Sequence, residues 1–280
     1  MAIDDIGGDP VELATCVVDQ IPNLTPPIPI LEIATAVDIT EIREEPFHSL
    51  EGALITPDHK GTGVILLNSN RSHYRKRYTI AHELGHYFNP WHQPQGGGFN
   101  CDAKALLQNQ STRNNPSQIM EVQANQFAAE LLMPKKLFQR HLVNMSGLDI
   151  EHIIKLSDDF DISREAIARR YIALSDEPAA LVFSKYNKIR YIKKHDNFPR
   201  LNVWNDHQLP SMSYSASASD RIGIPSDWRP VDEDNWLEHP TRAEMYEQTM
   251  AQQNGFRITL LTIDRESDEN DEWDAPTFKR

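Results

Sequence analysis

Cysteine is almost missing from this chain: Cys16 and Cys101 are the only two. Two isolated thiols do not build the disulfide framework of a small secreted fold, so both are expected to be reduced. Basic charge is also scarce, with 28 Lys and Arg against 41 Asp and Glu and a net charge of -13. Such a chain repels phosphate overall, and no concentrated basic patch offsets this, so direct nucleic-acid binding is not expected. Long apolar runs are absent as well, none approaching the roughly 18 to 20 residues that cross a bilayer. The N-terminal MAIDDIGGDPVELATC carries acids where a secretory leader carries Lys or Arg, and it has no long apolar stretch. These absences set the expectation of a cytoplasmic protein with no membrane partner.

What is present is a loop-rich globular chain of 280 residues, 39% hydrophobic, with 18 prolines and a mean hydropathy of -0.55. That length suffices for one large domain or two ordinary ones. VELATCVVDQI is a short apolar stretch, and the prolines of IPNLTPPIPI forbid a continuous helix after it. ILEIATAVDI (30–39) repeats its apolar residues at helical spacing, and ITEIREE, EGALITPD and GVILLNS read as strands. A helix is expected from Tyr74 to about Phe88, stopped by Asn89-Pro90. The polar, Gly-rich QPQGGGFNCDAKALLQNQSTRNNP reads as a long flexible loop. Ser117 is the expected cap of the next helix, which ends before Pro134.

Two helical runs follow, DIEHIIKLSDDFD and SREAIARRYIAL. Their helix, turn and Ser-led second helix resemble a helix-turn-helix. From Ser146 to Ser175, however, six acids face four bases, whereas a helix meeting phosphate gains from a positive excess. Past Pro178, LVFSKYNKIRYIKK reads as a hairpin around Asn187 and GFRITLLTI as a further strand. A Ser/Pro-rich, Trp-bearing stretch without clear period separates them. DRESDENDEWD, residues 264–274, reads as a solvated acidic tail.

The chemistry concentrates in RYTIAHELGHYFNPWH, residues 77–92. On a helix, His82 and His86 stand one turn apart on the same face and can present two imidazole nitrogens to one ion. Glu83, about 100° around the helix, can reach a water held there without ligating the metal. The plainer alternative is an amphipathic helix with two surface histidines. A catalytic zinc normally takes three protein ligands, and two residues compete for the third place. His92 sits where H-E-x-x-H-x-x-G-x-x-H zinc peptidases keep their third histidine, although Asn89 replaces the turning glycine. Glu121 lies on a helical stripe with Asn125, Ala128 and Leu132, beside Ala124. Small side chains there admit a close helix, and an acid on such a stripe is costly to bury unless a cation or strong donors meet it. Glu130, on the opposite side, is expected to be solvated. Cys101, in the loop, is a possible fourth ligand that would keep the site latent.

RYTIAHELGH together with EVQANQFAAELLMP resembles the ImmA/IrrE family of zinc metallopeptidases, over roughly residues 30–175. The resemblance implies Zn2+ as cofactor, His82, His86 and Glu121 as its ligands, and Glu83 as general base, leaving His92 as a cleft-edge or loop histidine. It also implies an endopeptidase whose protein substrate is a helix-turn-helix repressor, cut to release stress-response or mobile-element genes. A DNA-binding or partner-binding regulator with a non-catalytic zinc site is the alternative. The fold class that follows is α+β. An N-terminal extension (1–29) precedes a zincin-like core of small sheet and active-site helices (30–140). A helix-turn-helix-like pair (141–177) and a C-terminal β-containing domain with the acidic tail (178–280) complete the chain.

Overall fold

A computed structural model describes residues 6–94, 96–107, 115–218 and 221–264. Residues 108–114 of the Gly-rich stretch and the acidic tail beyond 264 lie outside the described residues. The chain divides into two compact units, Met1–Met145 with Lys155–Arg164, and Ser146–Ile154 with Glu165–Arg280.

The first unit is α+β. Helix α1 (Pro10–Asp19) starts where Asp9 accepts hydrogen bonds from the amides of Val11 and Glu12, with Pro10 in the first turn where its missing N–H costs nothing. Helix α2 (Ile30–Ala36) is shorter than its apolar period suggests. Asp38 adopts a left-handed φ of 65°, which breaks the helix and lets Ile39 begin a strand. Strands β1 (Ile39–Glu45), β2 (Leu50–Ile55), β3 (Gly63–Asn68) and β4 (Gly98–Asp102) form a sheet in the order β1-β3-β2-β4. Only β1 and β3 run parallel. Strand β4 falls inside the stretch read from sequence as a loop. Its glycine, asparagine and aspartate carry little strand propensity, and pairing with the edge of β2 supplies what the local sequence lacks.

Helix α3 (His73–Phe88) packs on this sheet and on helix α4 (Pro116–Leu132). Asn115, not Ser117, caps α4: its side chain accepts from the Gln118 amide, and Pro116 occupies the first turn. Helix α5 (Lys135–Leu142) follows at once. Its N-cap, Pro134, has no side-chain acceptor, so the Lys135 amide donates to the Glu130 carboxylate at 2.8 Å. Glu130 is therefore buried as a helix cap rather than solvated. Helices α6 (Ile150–Phe160) and α7 (Arg164–Leu174) follow, with Asp161 between them at φ 54°.

The second unit holds a five-stranded antiparallel sheet in the order β6-β5-β9-β8-β7. Strands β5 (Ala179–Lys185) and β6 (Lys188–Lys194) make the expected hairpin, with Tyr186 and Asn187 both at positive φ as a tight hairpin turn requires. β7 (Arg229–Val231), β8 (Glu244–Ala251) and β9 (Phe256–Asp264) complete it, and a short helix α8 (Tyr214–Ser217) lies between β6 and β7 in sequence. Its core includes Val182, Phe198, Trp236, Met245 and Leu261. The buried Glu247 carboxylate accepts from the amides of Tyr214 and Ser215 and from Trp236 Nε1, which ties the aperiodic Trp-bearing stretch to β8. Among the described residues no helix is long and apolar enough to cross a membrane.

Candidate metal centre

Ser72 caps α3 through its hydroxyl, which accepts from the Arg75 amide, and the helix then runs unbroken to Phe88. Its residues from Thr79 to His86 are all buried, between the sheet and α4. Gly85 marks the closest approach. A Cβ there would stand 3.0 Å from Ala124 Cα, 3.1 Å from Ala124 O and 3.2 Å from Phe127 Cβ. The small residues thus let two helix backbones touch, and this contact brings Glu121 on α4 against both histidines of α3.

Three donor atoms converge. His82 Nε2 and His86 Nε2 are 3.2 Å apart, and the third group, the Glu121 carboxylate, sets Oε2 3.2 Å from the first and Oε1 3.5 Å from the second. Nitrogen and oxygen ligands at about 2.0 to 2.2 Å from a tetrahedral zinc stand roughly 3.3 to 3.5 Å from one another. The spacing therefore fits one such ion, and so does the chemistry of the donor set. Asn125 Nδ2 donates to the Ala105 carbonyl at 2.7 Å, which turns its Oδ1 toward His82 Nδ1 at 2.9 Å. Tyr78 donates to the same oxygen. His82 Nδ1 must then carry the proton, and its Nε2 presents a bare lone pair to the Glu121 carboxylate. A lone pair facing a half-buried anion calls for a cation between them.

Electrostatics agree. Burial raises the Glu121 carboxyl, but the adjacent His82 and His86 imidazoles outweigh burial and hold it at about 2. Burial pushes His86 down to about 4 against the pull of Glu121. Glu83 is fully buried, and neither of its carboxylate oxygens has a hydrogen-bond partner among the described residues. Burial first, then the nearby Glu121 charge, raises its pKa well above the usual carboxylate range.

Strand β4 covers this group. Phe99 stacks on the His86 ring at 4.5 Å, and buried Cys101 brings its sulfur within 4.8 Å of ligand atoms of His82 and Glu83. Burial and the surrounding carboxylates push that thiol up, so it stays protonated in the metal-free protein. Cys101 does not share a cluster with His86 and Glu121.

His92 follows the end of α3 and meets the Nδ1 side of His86, away from the converging Nε2 atoms. It is fully buried, with Nδ1 3.0 Å from His86 Nδ1 and Nε2 2.9 Å from Gln123 Oε1. Burial lowers it to about 3. Asn89 leaves the helix in an extended conformation (φ -75°, ψ 114°), not the left-handed one a glycine would offer. Its amide donates to the Gly8 carbonyl while its oxygen accepts from the Trp91 amide. The chain thus never makes the sharp turn that would carry His92 to the Nε2 side, and His92 meets the back of His86 instead. Lys60 is a further contributor that sequence reasoning missed. Its ammonium donates to the carbonyls of His86 and Asn89 at 2.8 and 2.7 Å, satisfying the end of α3, and burial lowers it to about 8. No local pattern marks a lysine 26 residues upstream as the cap of that helix.

Fold and site together define an α+β peptidase-like protein with a potential His/Glu metal centre. Residues 38–171 match the model of the peptidase M78 family, the IrrE N-terminal-like domain. Among solved structures it is similar to a Mycobacterium tuberculosis transcriptional regulator, at 11% identity and a TM-score of 0.57, over 91% of this chain and 76% of that one. At that identity the likeness concerns the fold alone. A search of curated proteins finds no match.

Proposed function

We propose that the protein is a zinc-dependent endopeptidase, with His82, His86 and Glu121 holding the ion and Glu83 as general base. The convergence of two imidazole nitrogens and one carboxylate at tetrahedral spacing carries the reading. Zinc bound there supplies a polarised scissile carbonyl and an acidified water. Glu83, whose buried and unpartnered carboxylate is a stronger base than a solvated one, takes the water's proton at a carboxylate oxygen. It delivers that proton to the amide nitrogen as the C–N bond breaks, so the products are a free carboxylate and an amine. Asn125 keeps His82 in the tautomer that leaves Nε2 open.

The match of residues 38–171 to the M78 family model supports a protein substrate, and by resemblance that substrate is a helix-turn-helix repressor. The alternative, a DNA-binding or partner-binding regulator with a non-catalytic zinc site, draws on the α6–α7 pair and on the similar Mycobacterium tuberculosis protein being a transcriptional regulator. Two observations weigh against it. A structural site has no use for the Glu83 carboxylate, and from Ser146 to Ser175 six acids outnumber four bases, against contact with phosphate. The test is Glu83→Gln, nearly isosteric but unable to accept a proton at neutral pH. It should keep its zinc and lose cleavage of a co-encoded repressor, and retained cleavage would remove Glu83 from the mechanism.

A further inference from the structure

Two residues outside the proposed ligand set, His92 and Gln123, touch the site only through His86. Gln123 sits on α4 two residues after Glu121, and Asn125, which holds His82, follows two residues later. One helix thus presents a carboxylate to both imidazole Nε2 atoms and amide oxygens to the backs of both histidines, directly for His82 and through His92 for His86. We propose that Gln123 and His92 form a positioning relay that fixes His86 with its proton on Nδ1 and its Nε2 lone pair facing Glu121. The inference rests on the zinc reading above and adds to it the device that readies the second histidine.

The argument is one of proton counting. A neutral imidazole carries one N–H and one lone pair, so each ring passes on the choice made by its neighbour. With Gln123 Oε1 accepting at 2.9 Å, His92 holds its proton on Nε2 and turns a bare Nδ1 to His86. That nitrogen, 3.0 Å away, accepts from His86 Nδ1, which leaves His86 Nε2 free for a cation. With the Gln123 amide reversed, every choice reverses, and His86 Nε2–H would point at Glu121 and occupy the cation's place. Burial of His86 and His92 keeps water from substituting for either partner. Phe99, stacked on His86, holds the ring plane along the relay.

Two measurements decide it. In metal-free protein, long-range 1H–15N correlation of the imidazoles should show His92 as the Nε2–H tautomer with Nδ1 bare, and an Nδ1–H tautomer overturns the relay whether or not zinc binds. Zinc titration then compares variants. Gln123→Glu can only accept, so it should tighten zinc several-fold, whereas Gln123→Leu and His92→Phe should weaken it by about 10- to 100-fold, the usual cost of losing a partner behind a ligand. Gln123 is half-buried, which makes its substitutions tolerable to the fold. A packing role alone would weaken binding in Gln123→Glu and Gln123→Leu alike, so equal or same-sign shifts in that pair overturn the proposal. If the unaltered protein takes up no zinc at all, the zinc reading falls while the tautomer measurement still decides the relay.

Discussion

Replacing Gly85 by Ala sets two effects of known size against each other. In a helix interior Ala is favoured over Gly by about 1 kcal/mol, so on local grounds Gly85→Ala should stabilise α3. Its methyl, however, would arrive 3.0 to 3.2 Å from Ala124 Cα, Ala124 O and Phe127 Cβ. Two of those three atoms are backbone, so no rotamer change relieves them, and α4 itself must retreat by a few tenths of an ångström. Overpacking of this kind costs roughly 1 to 3 kcal/mol, which leaves a net loss of about 1 kcal/mol. In a unit of this size that corresponds to a melting temperature lower by roughly 2 to 4 °C. The same retreat draws Glu121 away from His82 and His86, so zinc affinity should fall with stability. Thermal denaturation of the metal-free variant and zinc titration measure the two effects separately. A Gly85→Ala protein about 1 kcal/mol more stable than the parent, with zinc affinity unchanged, would refute the claim that backbone contact at Gly85 sets the site.

Two further outcomes follow from the buried site. His86 and His92 titrate near 4 and near 3 in the fold, against about 6.5 in an unfolded chain. The unfolded chain therefore binds more protons between those values, and stability present above about pH 6.5 is lost as pH falls toward 4. Urea midpoints of the metal-free protein should fall steadily over that interval, and a flat profile would contradict the burial of the two rings. Phe99→Ala removes the ring stacked on His86 and loosens the strand covering Glu83, at a cost of about 3 kcal/mol. Loaded zinc should pass to a chelator several-fold faster, and an unchanged rate would mean that β4 does not guard the site.

The parts of the site legible in the sequence are those with helical period. His82 and His86 share a face because they are four residues apart, and the small residues around Ala124 announce a close neighbour to Glu121. Strand β4 was not legible, since its residues become a strand only by pairing with β2. The destination of His92 was not legible either. It depends on one backbone choice at Asn89, fixed by a hydrogen bond to Gly8 some 81 residues away. Lys60 and Gln123 act through distant partners in the same way, and Glu130 looked solvated until α5 supplied an unpartnered amide. In the second unit, LVFSKYNKIRYIKK was legible as the β5–β6 hairpin around Asn187, while the stretch around Trp236 is ordered by the buried Glu247, which no period announces.

The central claim concerns which residue closes the two-histidine site, and parallel zinc titrations of Glu121→Ala and His92→Phe at one pH test it most directly. Glu121 is the proposed third ligand. Its share of a binding free energy of roughly 10 to 16 kcal/mol corresponds to a loss of at least several hundred-fold. His92 acts only from behind His86, so its variant should retain zinc with the smaller weakening of about 10- to 100-fold. The expected result is one zinc per chain in the parent protein, a weakened but filled site in His92→Phe, and a site close to empty in Glu121→Ala. A zinc-replete Glu121→Ala beside a zinc-free His92→Phe would contradict it.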